Sequence, residues 1–468
     1  MKKTNVVIIY TDQQSLWTVS AYGMQNFLLT PNIDKIAEEG LACEHFYTNA
    51  NPCTPSRGTF LTGLYPSSHG AFHNNKRIDQ TKKTFAHILQ ENGYKTGYIG
   101  KYHLDGESEK KGSIVPKSRG MGFEENSLMV NRGHYKKISS KFGKEINDTS
   151  KIIYSSIKSN IGDEESYPTD WFTSKSLEFI EIESKKDNPF CLMIGFPDPH
   201  PPYKTRIPYD KKFNPEDMPI PKSFCKSIFK SIELSKKRYE KSSREGLIEE
   251  KRLRRYKSGY CAMVKLIDDN VGRIIKKLKE IKIYENTLIV FTTDHGDFMG
   301  EHGLLGKSEI LESAFRIPFL IKFPNEMKFH KNNKFLWSTV DFAPTLLELL
   351  KIKPIHKFDG KSHAKELLLD EKFVIDKEKY VFLETCTRNN ENNRVGLINN
   401  EFWYNLNIAN SRESLFDRVN DELQEVNLSF DPSFLEIKNK FRKILLDNHK
   451  NYSSLHNEWL NKLQFKDP

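Results

Sequence analysis

Apolar runs that stop at polar or glycine residues, separated by stretches of helical spacing, set the pattern of this chain. Val6–Tyr10, Lys95–Gly100, Phe190–Phe196 and Thr287–Thr293 read as central strands, because a short continuous apolar run is what a sheet covered on both faces requires. Helices are predicted at Asn32–Glu39, Thr84–Asn92, Ser174–Glu183, Tyr256–Lys279 and Ala343–Leu350. In the fourth, Tyr260, Val264, Ile267, Val271 and Ile275 recur at three- or four-residue spacing, the core face of an amphipathic helix. Strand and helix in alternation predict an α/β fold, a large mostly parallel sheet flanked by helices. From about Tyr380 the texture changes to short β-like pieces, Val381–Glu384, Arg394–Ile398, Phe402–Asn405 and Leu415–Asp417, followed by a helical stretch over Pro432–Asn448. The expected organisation is a main α/β domain over 1–375 and a smaller C-terminal α+β subdomain with an antiparallel sheet over 376–468. No low-complexity linker divides them, so the two are expected to pack as one body.

Composition narrows the classes. The 468 residues are 37% hydrophobic and 29% charged, a soluble globular balance, and the net charge is +10. Most of the excess lies in Lys136–Lys158 and Lys222–Lys257, which read as solvated lysine-rich faces. Neither interleaves aromatics as a nucleic-acid platform would, so no nucleic-acid partner is expected. No stretch approaches the ~20 apolar residues that span a bilayer, and the run Val6–Tyr10 is too short for a signal-peptide core. A cytoplasmic protein without membrane association is the expectation. Six cysteines, Cys43, Cys53, Cys191, Cys225, Cys261 and Cys386, show neither pairing nor C-x-x-C spacing, which indicates no disulfide framework and no zinc site.

Candidate chemistry gathers where strands end. Asp12 follows the first strand and Asp294-His295 follow the strand Thr287–Thr293. Carboxyl ends of parallel strands are where ligands bind, so residues distant in sequence can meet there. Two carboxylates and an imidazole near Cys53 would make a mostly oxygen site for a hard divalent cation. An aspartate after a strand is otherwise a helix cap or turn former, and a lone cysteine is ordinarily a buried structural thiol. In Cys53-Thr54-Pro55 the threonine suits an N-cap, the proline the first helical position and Gly63 a C-terminal stop. Cys53 is therefore expected at a helix N-terminus, where free N–H groups favour an anion.

The run Cys53-Thr54-Pro55-Ser56-Arg57-Gly58-Thr59-Phe60-Leu61-Thr62-Gly63 resembles the C-x-P-S-R-x-x-x-x-T-G element of the type I sulfatases, in the alkaline phosphatase superfamily. Further matches fall in the family order: Gly100-Lys101-Tyr102-His103-Leu104, Asp198-Pro199-His200-Pro201-Pro202-Tyr203, Asp294-His295-Gly296-Asp297 and Gly306-Lys307. The segment Leu415-Phe416-Asp417 to Asn427-Leu428 is similar to the family's C-terminal ending. This resemblance implies a sulfuric ester hydrolase in which Cys53 is converted to formylglycine, the nucleophile, by a maturation enzyme. It implies one divalent metal held by Asp12, Asp294, His295 and residue 53. Catalytic roles carry over to Cys53, Arg57, Lys101, His103, His200 and Lys307, with Arg57 and the two lysines on the sulfate charge, His200 protonating the leaving alcohol and His103 taking the second diol proton. Asp12-Gln13 and Asp294-His295 depart from the common Asp-Asp and Asp-Asn pairs and resemble choline-sulfatases and phosphonate monoester hydrolases. Calcium is the expected ion and manganese the alternative; Gln13 is left outside the ligand set.

Two rival readings follow. A phosphonate or phosphate monoester hydrolase would share the nucleophile and the metal pair, though Lys101 and His103 favour a sulfatase. A non-catalytic polyanion-binding protein would leave every one of these residues idle. The expected substrate is a small sulfated sugar or metabolite ester, with specificity set by loops over Gly106–Arg132, Lys204–Lys257 and the C-terminal part. Tyr203, Arg132, His134, Arg388 and Trp403 are candidate pocket walls, and nothing in the sequence sets the oligomeric state.

Overall fold

The computed structural model describes residues 3–107, 114–132, 136–138, 161–224, 249–307, 309–329, 334–354, 356–368, 379–385, 393–450 and 463. Its first strand, β1 (Asn5–Thr11), is buried throughout, and the side-chain alternation of a strand divides it between two cores. Val6, Ile8 and Tyr10 enter one core; Val7 and Ile9 enter the other. That is why the segment reads as an unbroken apolar run. Short strands β2 (Leu41–Ala42), β3 (Phe46–Tyr47) and β4 (Ala50–Asn51) follow, then β5 (Lys95–Lys101), β6 (Met129–Val130), β7 (Phe190–Gly195), β8 (Thr287–Thr293), β9 (Phe319–Lys322) and β10 (Trp337–Ser338). The main sheet has seven strands in the order β2-β9-β8-β1-β7-β5-β6. β1 runs parallel to β7 and β8, and β5 parallel to β6 and β7, whereas β9 is antiparallel to both of its neighbours.

Helices cover both faces. On one side lie α1 (Pro31–Glu38), α4 (Pro168–Glu183) and α5 (Glu250–Glu280); on the other lie α2 (Cys53–Thr62), α3 (Phe85–Glu91) and α6 (Phe342–Leu349). The five periodic residues of α5 are all buried. Phe60 of α2 stacks on Phe342 with ring centroids 4.0 Å apart and meets Tyr10 of β1 at 4.7 Å. α4 begins at Pro168, earlier than the apolar spacing indicates, because proline suits the first helical turn and Tyr167 precedes it in extended conformation. Among the described residues no helix is long and apolar enough to cross a membrane.

The C-terminal part forms a second sheet from β11 (Val381–Thr385), β12 (Arg394–Ile398), β13 (Phe402–Asn407) and β14 (Arg412–Asp417), with α7 (Leu435–Lys450) packed on it. Its fifth strand comes from elsewhere in the chain: β4 pairs in parallel with β11, Asn51 opposite Thr385. The strand that leads into Cys53 is thus an edge of the C-terminal sheet. Trp403, expected as a pocket wall, is fully buried against Tyr47 and Phe315 with its indole N–H donated to Asn405. Its place in β13 turns it inward. His134 and Arg388 lie outside the described residues, as do Cys225, Cys386 and most of both basic stretches. The remaining cysteines are buried free thiols.

Gly100 of β5 lies opposite Gly195 of β7. Its φ of +108° disfavours a side chain, and a Cβ there would lie 2.1 Å from the Gly195 carbonyl oxygen. Gly100→Ala is therefore expected to cost about 3 kcal/mol, combining backbone strain with displacement of a central strand. Urea denaturation checks this, and a loss below about 0.5 kcal/mol would show that the strand pair yields freely.

Candidate active site

Asp12, immediately beyond β1, and Asp294, immediately beyond β8, are brought side by side because those strands are neighbours in register, Thr11 opposite Thr293. Cys53 is the first residue of α2, which runs at the same edge and ends at Gly63 in the left-handed region expected of a helix stop. Thr54 is not the cap. The helix starts two residues earlier, at Cys53 after Pro52, and the Thr54 hydroxyl is donated to the His103 carbonyl at 2.8 Å, tying α2 to the loop beyond β5.

Arg57, one turn into α2, joins the carboxylates. Its Nε donates to Asp294 Oδ2 and its Nη2 to Asp12 Oδ2, both at 3.0 Å, while Nη1 donates to the Lys101 carbonyl at 2.7 Å. The guanidinium is 2% exposed. All its nitrogens are engaged behind the carboxylates, which places it differently from the sulfate contact expected of it. Lys101 Nζ also contacts Asp12 Oδ2. Burial alone would raise the Asp12 pKa, but Lys101, His200, Arg57 and Lys307 together hold the carboxyl well below the usual range. Asp12 is therefore a carboxylate at neutral pH.

The second oxygen of each carboxylate has other partners. Asp12 Oδ1 is 4.0 Å from Cys53 Sγ, and Asp294 Oδ1 accepts the backbone N–H groups of Gln13 and His295 at 2.9 and 3.0 Å. His295 Nδ1 lies 3.0 Å from the Gly296 carbonyl, an acceptor, so this nitrogen carries the proton and Nε2 presents a lone pair to Cys53 Sγ at 3.3 Å. Burial pushes the His295 pKa down to about 4. Asp12, Cys53, Asp294 and His295 each offer a ligand atom, all within 4.8 Å of one another and all buried. Two carboxylates, a neutral imidazole nitrogen and residue 53 form a donor set that fits one divalent cation.

Lys307 also reaches the site, its ammonium 3.5 Å from Cys53 Sγ and in contact with Gln13 Oε1. Burial would lower its pKa, but Cys53, Asp12 and Asp294 raise it, so it is a cation. Burial and the negative charge of Asp12 raise the Cys53 thiol against the opposing pull of Lys307 and Lys101. His200 is partly exposed, and its Nδ1 lies 2.8 Å from the Pro201 carbonyl. Burial of the ring and the nearby Lys307 depress its pKa well below the ordinary value. His103 sits at the end of β5 with a φ of +60°, its carbonyl fixed to Thr54 as described.

Sequence reasoning missed the residue that braces this assembly. Asp297 Oδ1 accepts the N–H groups of Met299 and Gly306 at 2.8 and 3.0 Å, and its Oδ2 accepts the Tyr203 hydroxyl at 2.7 Å and the Gln13 amide. One buried carboxylate therefore holds the loops bearing Gln13, His200 and Lys307. Asp297 stood inside the quoted Asp294-His295-Gly296-Asp297 run, but nothing in the sequence separates a brace from a ligand.

The sulfatase sequence profile matches residues 4–352, and a profile described as N-sulphoglucosamine sulphohydrolase, C-terminal, matches 300–451. The chain is 28% identical over 403 residues to the multifunctional alkaline phosphatase superfamily protein PehA of Trinickia caryophylli, covering 77% of this chain and 76% of that protein. It is 27% identical over 434 residues to the N-acetylglucosamine-6-O-sulfatase of Bacteroides thetaiotaomicron, covering 78% and 72%. Its fold matches that of a protein solved with its substrate D-glucosamine-2-N,6-O-disulfate, with a TM-score of 0.77 at 24% identity over 96% of this chain and 98% of the other. A profile match across most of the chain, over the residues of the buried quartet Asp12, Cys53, Asp294 and His295, shows that this protein belongs to the sulfatase family of sulfuric ester hydrolases.

Proposed function

We propose that this protein hydrolyses the sulfate monoester of a small sulfated sugar, using a formylglycine made from Cys53 and one divalent metal. The observation that carries the reading is the convergence of Asp12, Cys53, Asp294 and His295 within 4.8 Å, with Lys101 and Lys307 beside them. A sulfated sugar is supported by the names of the N-acetylglucosamine-6-O-sulfatase and of the glucosamine disulfate complex. The free buried cysteines suit a reducing compartment, consistent with a cytoplasmic enzyme.

Bound at the quartet, the metal supplies Lewis acidity that makes a residue-53 hydroxyl nucleophilic and offsets sulfate charge. The imidazole nitrogen of His295 makes the donor set softer than oxygen alone, which favours manganese relative to calcium. The chain's own residues do the rest. Arg57 holds one oxygen of each aspartate, fixing the two carboxylates beside residue 53. Lys101 and Lys307 bring positive charge to the oxygens of a sulfate placed over Cys53, in a buried setting where such charges act strongly. One hydroxyl of the hydrated formylglycine, its proton already released to bulk water, forms the bond to sulfur as the bond from sulfur to the alcohol oxygen breaks. His200 delivers the proton that oxygen needs. Its Nδ1 is committed to the Pro201 carbonyl, so the transferable proton sits on Nε2, and the substrate's negative charge raises the depressed pKa toward the working range. His103 then takes the proton of the second hydroxyl, and the sulfated diol collapses to aldehyde and free sulfate. Water restores the hydrate.

Cys53→Ala is expected to lower kcat by several orders of magnitude while the thermal midpoint stays near wild type, since the nucleophilic oxygen disappears and little volume does. Peptide mass analysis at residue 53 of the parent protein should find the aldehyde. Alanine-variant activity within about tenfold of wild type would sink the assignment.

Asp294→Ala should lose both metal and turnover, because a ligand and the charge balancing the ion go together. Elemental analysis of purified protein reads this directly. Wild-type metal content in the variant would place the ion elsewhere, and the element found in the parent decides between manganese and calcium.

The proton donor is tested by leaving group. His200→Ala should slow an alkyl or sugar sulfate at least about tenfold more than nitrophenyl sulfate, whose oxygen leaves without help, whereas Lys101→Ala should slow both alike. Equal losses for the histidine variant would move the acid role to Lys307. A phosphonate monoester turned over faster than every sulfate in the same assay would reverse the choice of substrate class.

A further inference from the structure

Lys136 opens the first basic stretch, where a lysine is expected to face water, yet it is only 6% exposed. Its ammonium contacts Asp198 Oδ1, lies 3.0 Å from Met263 Sδ of α5 and sits over the Tyr167 ring, 5.8 Å from its centroid. The backbone around it is fastened to the approach to α4: Gly162 N–H donates to the Lys136 carbonyl at 2.7 Å, and Ile138 N–H to the Ser166 carbonyl at 2.8 Å. This is an anchored charge. An ammonium is taken out of water only where a partner compensates it, and its partner here is Asp198.

Asp198 stands two residues before His200. Its carboxylate is held by Lys136 on one oxygen and by the Thr169 hydroxyl at 2.7 Å on the other, and its carbonyl accepts the Asp12 N–H at 3.1 Å. At the far end of the same turn, the Tyr203 hydroxyl is fixed on Asp297. The turn from 198 to 203 is therefore pinned at both ends by side chains while His200 lies partly exposed between them. Of the two pins, Asp297 belongs to the metal-side motif. The other depends on a lysine from a segment that supplies no other group to the site among the described residues.

We propose that Lys136 is a positioning residue for the leaving-group acid: by holding the Asp198 carboxylate, it fixes the turn that presents His200 to the departing oxygen. The proposal rests on His200 being that acid. Lys136 touches neither the metal quartet nor Cys53 in this structure. Its removal should disturb proton delivery ahead of nucleophilic attack, because attack depends on residue 53 and the cations beside it.

The test measures kcat/KM for a sugar sulfate and for nitrophenyl sulfate in the metal-loaded enzyme, with metal content read in parallel. Lys136→Met, which keeps the length of the side chain and removes its charge, should lower the sugar sulfate at least about tenfold more than nitrophenyl sulfate, with metal content unchanged. Thr169→Val removes only one hydrogen bond to Asp198 and should move the same ratio by about threefold, which keeps the proposal open to refutation if the methionine variant fails to fold. Equal losses on the two substrates, loss of metal, or no change in either rate would overturn it; metal loss would mean that Asp198 acts through Asp12. His200→Ala is run beside them. A leaving-group bias there without one in Lys136→Met removes the positioning role and leaves the acid standing, while its absence in His200→Ala removes the acid reading itself.

Discussion

The interaction on which the site depends is the buried guanidinium of Arg57 between the carboxylates of Asp12 and Asp294. These three side chains come from the ends of two neighbouring strands and from the first turns of a helix about 40 residues downstream of the first strand. None of the charges is tolerable there alone, since an uncompensated ion in the interior costs several kcal/mol. The strands must hold their relative register, and α2 must lie against their ends at one height. Lys101 adds the end of β5 to the same cluster through Asp12. What looks like a salt-bridge network is also the alignment device for the sheet's functional edge.

Further bracing surrounds it and uses carboxylates as sinks for donors. Asp297 collects two side chains and two backbone N–H groups, and Asp198 collects an ammonium and a hydroxyl while lending its carbonyl to Asp12. Gln13 adopts a φ of +67°, a cost for a non-glycine residue, and is held there by its backbone N–H on Asp294 and its amide between Asp297 and Lys307. Each loop that carries a reactive group is therefore fixed by a residue that carries none. In the mechanism proposed above, such bracing limits the wandering of the groups that meet the sulfate.

Much of this was legible in the sequence, and the residues show why. The central strands declare themselves because burial on both faces leaves no polar positions, as in Val6–Tyr10. The convergence of Asp12, Cys53, Asp294 and His295 was legible because their order in the chain matches a family. Short strands such as β2, β6 and β10 were not, for two residues carry no periodicity. Thr54 misled because a hydroxyl before a proline reads as a cap, whereas its actual partner, the His103 carbonyl, is 49 residues away. Trp403 misled because aromatic character does not reveal which face of a strand turns inward. Lys136 misled because a charge run in sequence is no guide to the one member that meets a buried carboxylate.

The pairing of β4 with β11 has a consequence for how the segment bearing Cys53 comes to rest. Asn51, two residues before Cys53, accepts the Thr385 hydroxyl across 334 residues and donates its own amide to the Lys307 carbonyl. Contacts so far apart in sequence close late, because the loop entropy must be overcome before they give anything back. During synthesis the first strand and α2 emerge long before the strand that will flank them exists. Cys53, only 1% exposed in the finished protein, thus spends most of the chain's elongation outside the enclosure that later seals it. Any chemistry performed on its sulfur by another protein has that interval in which to act.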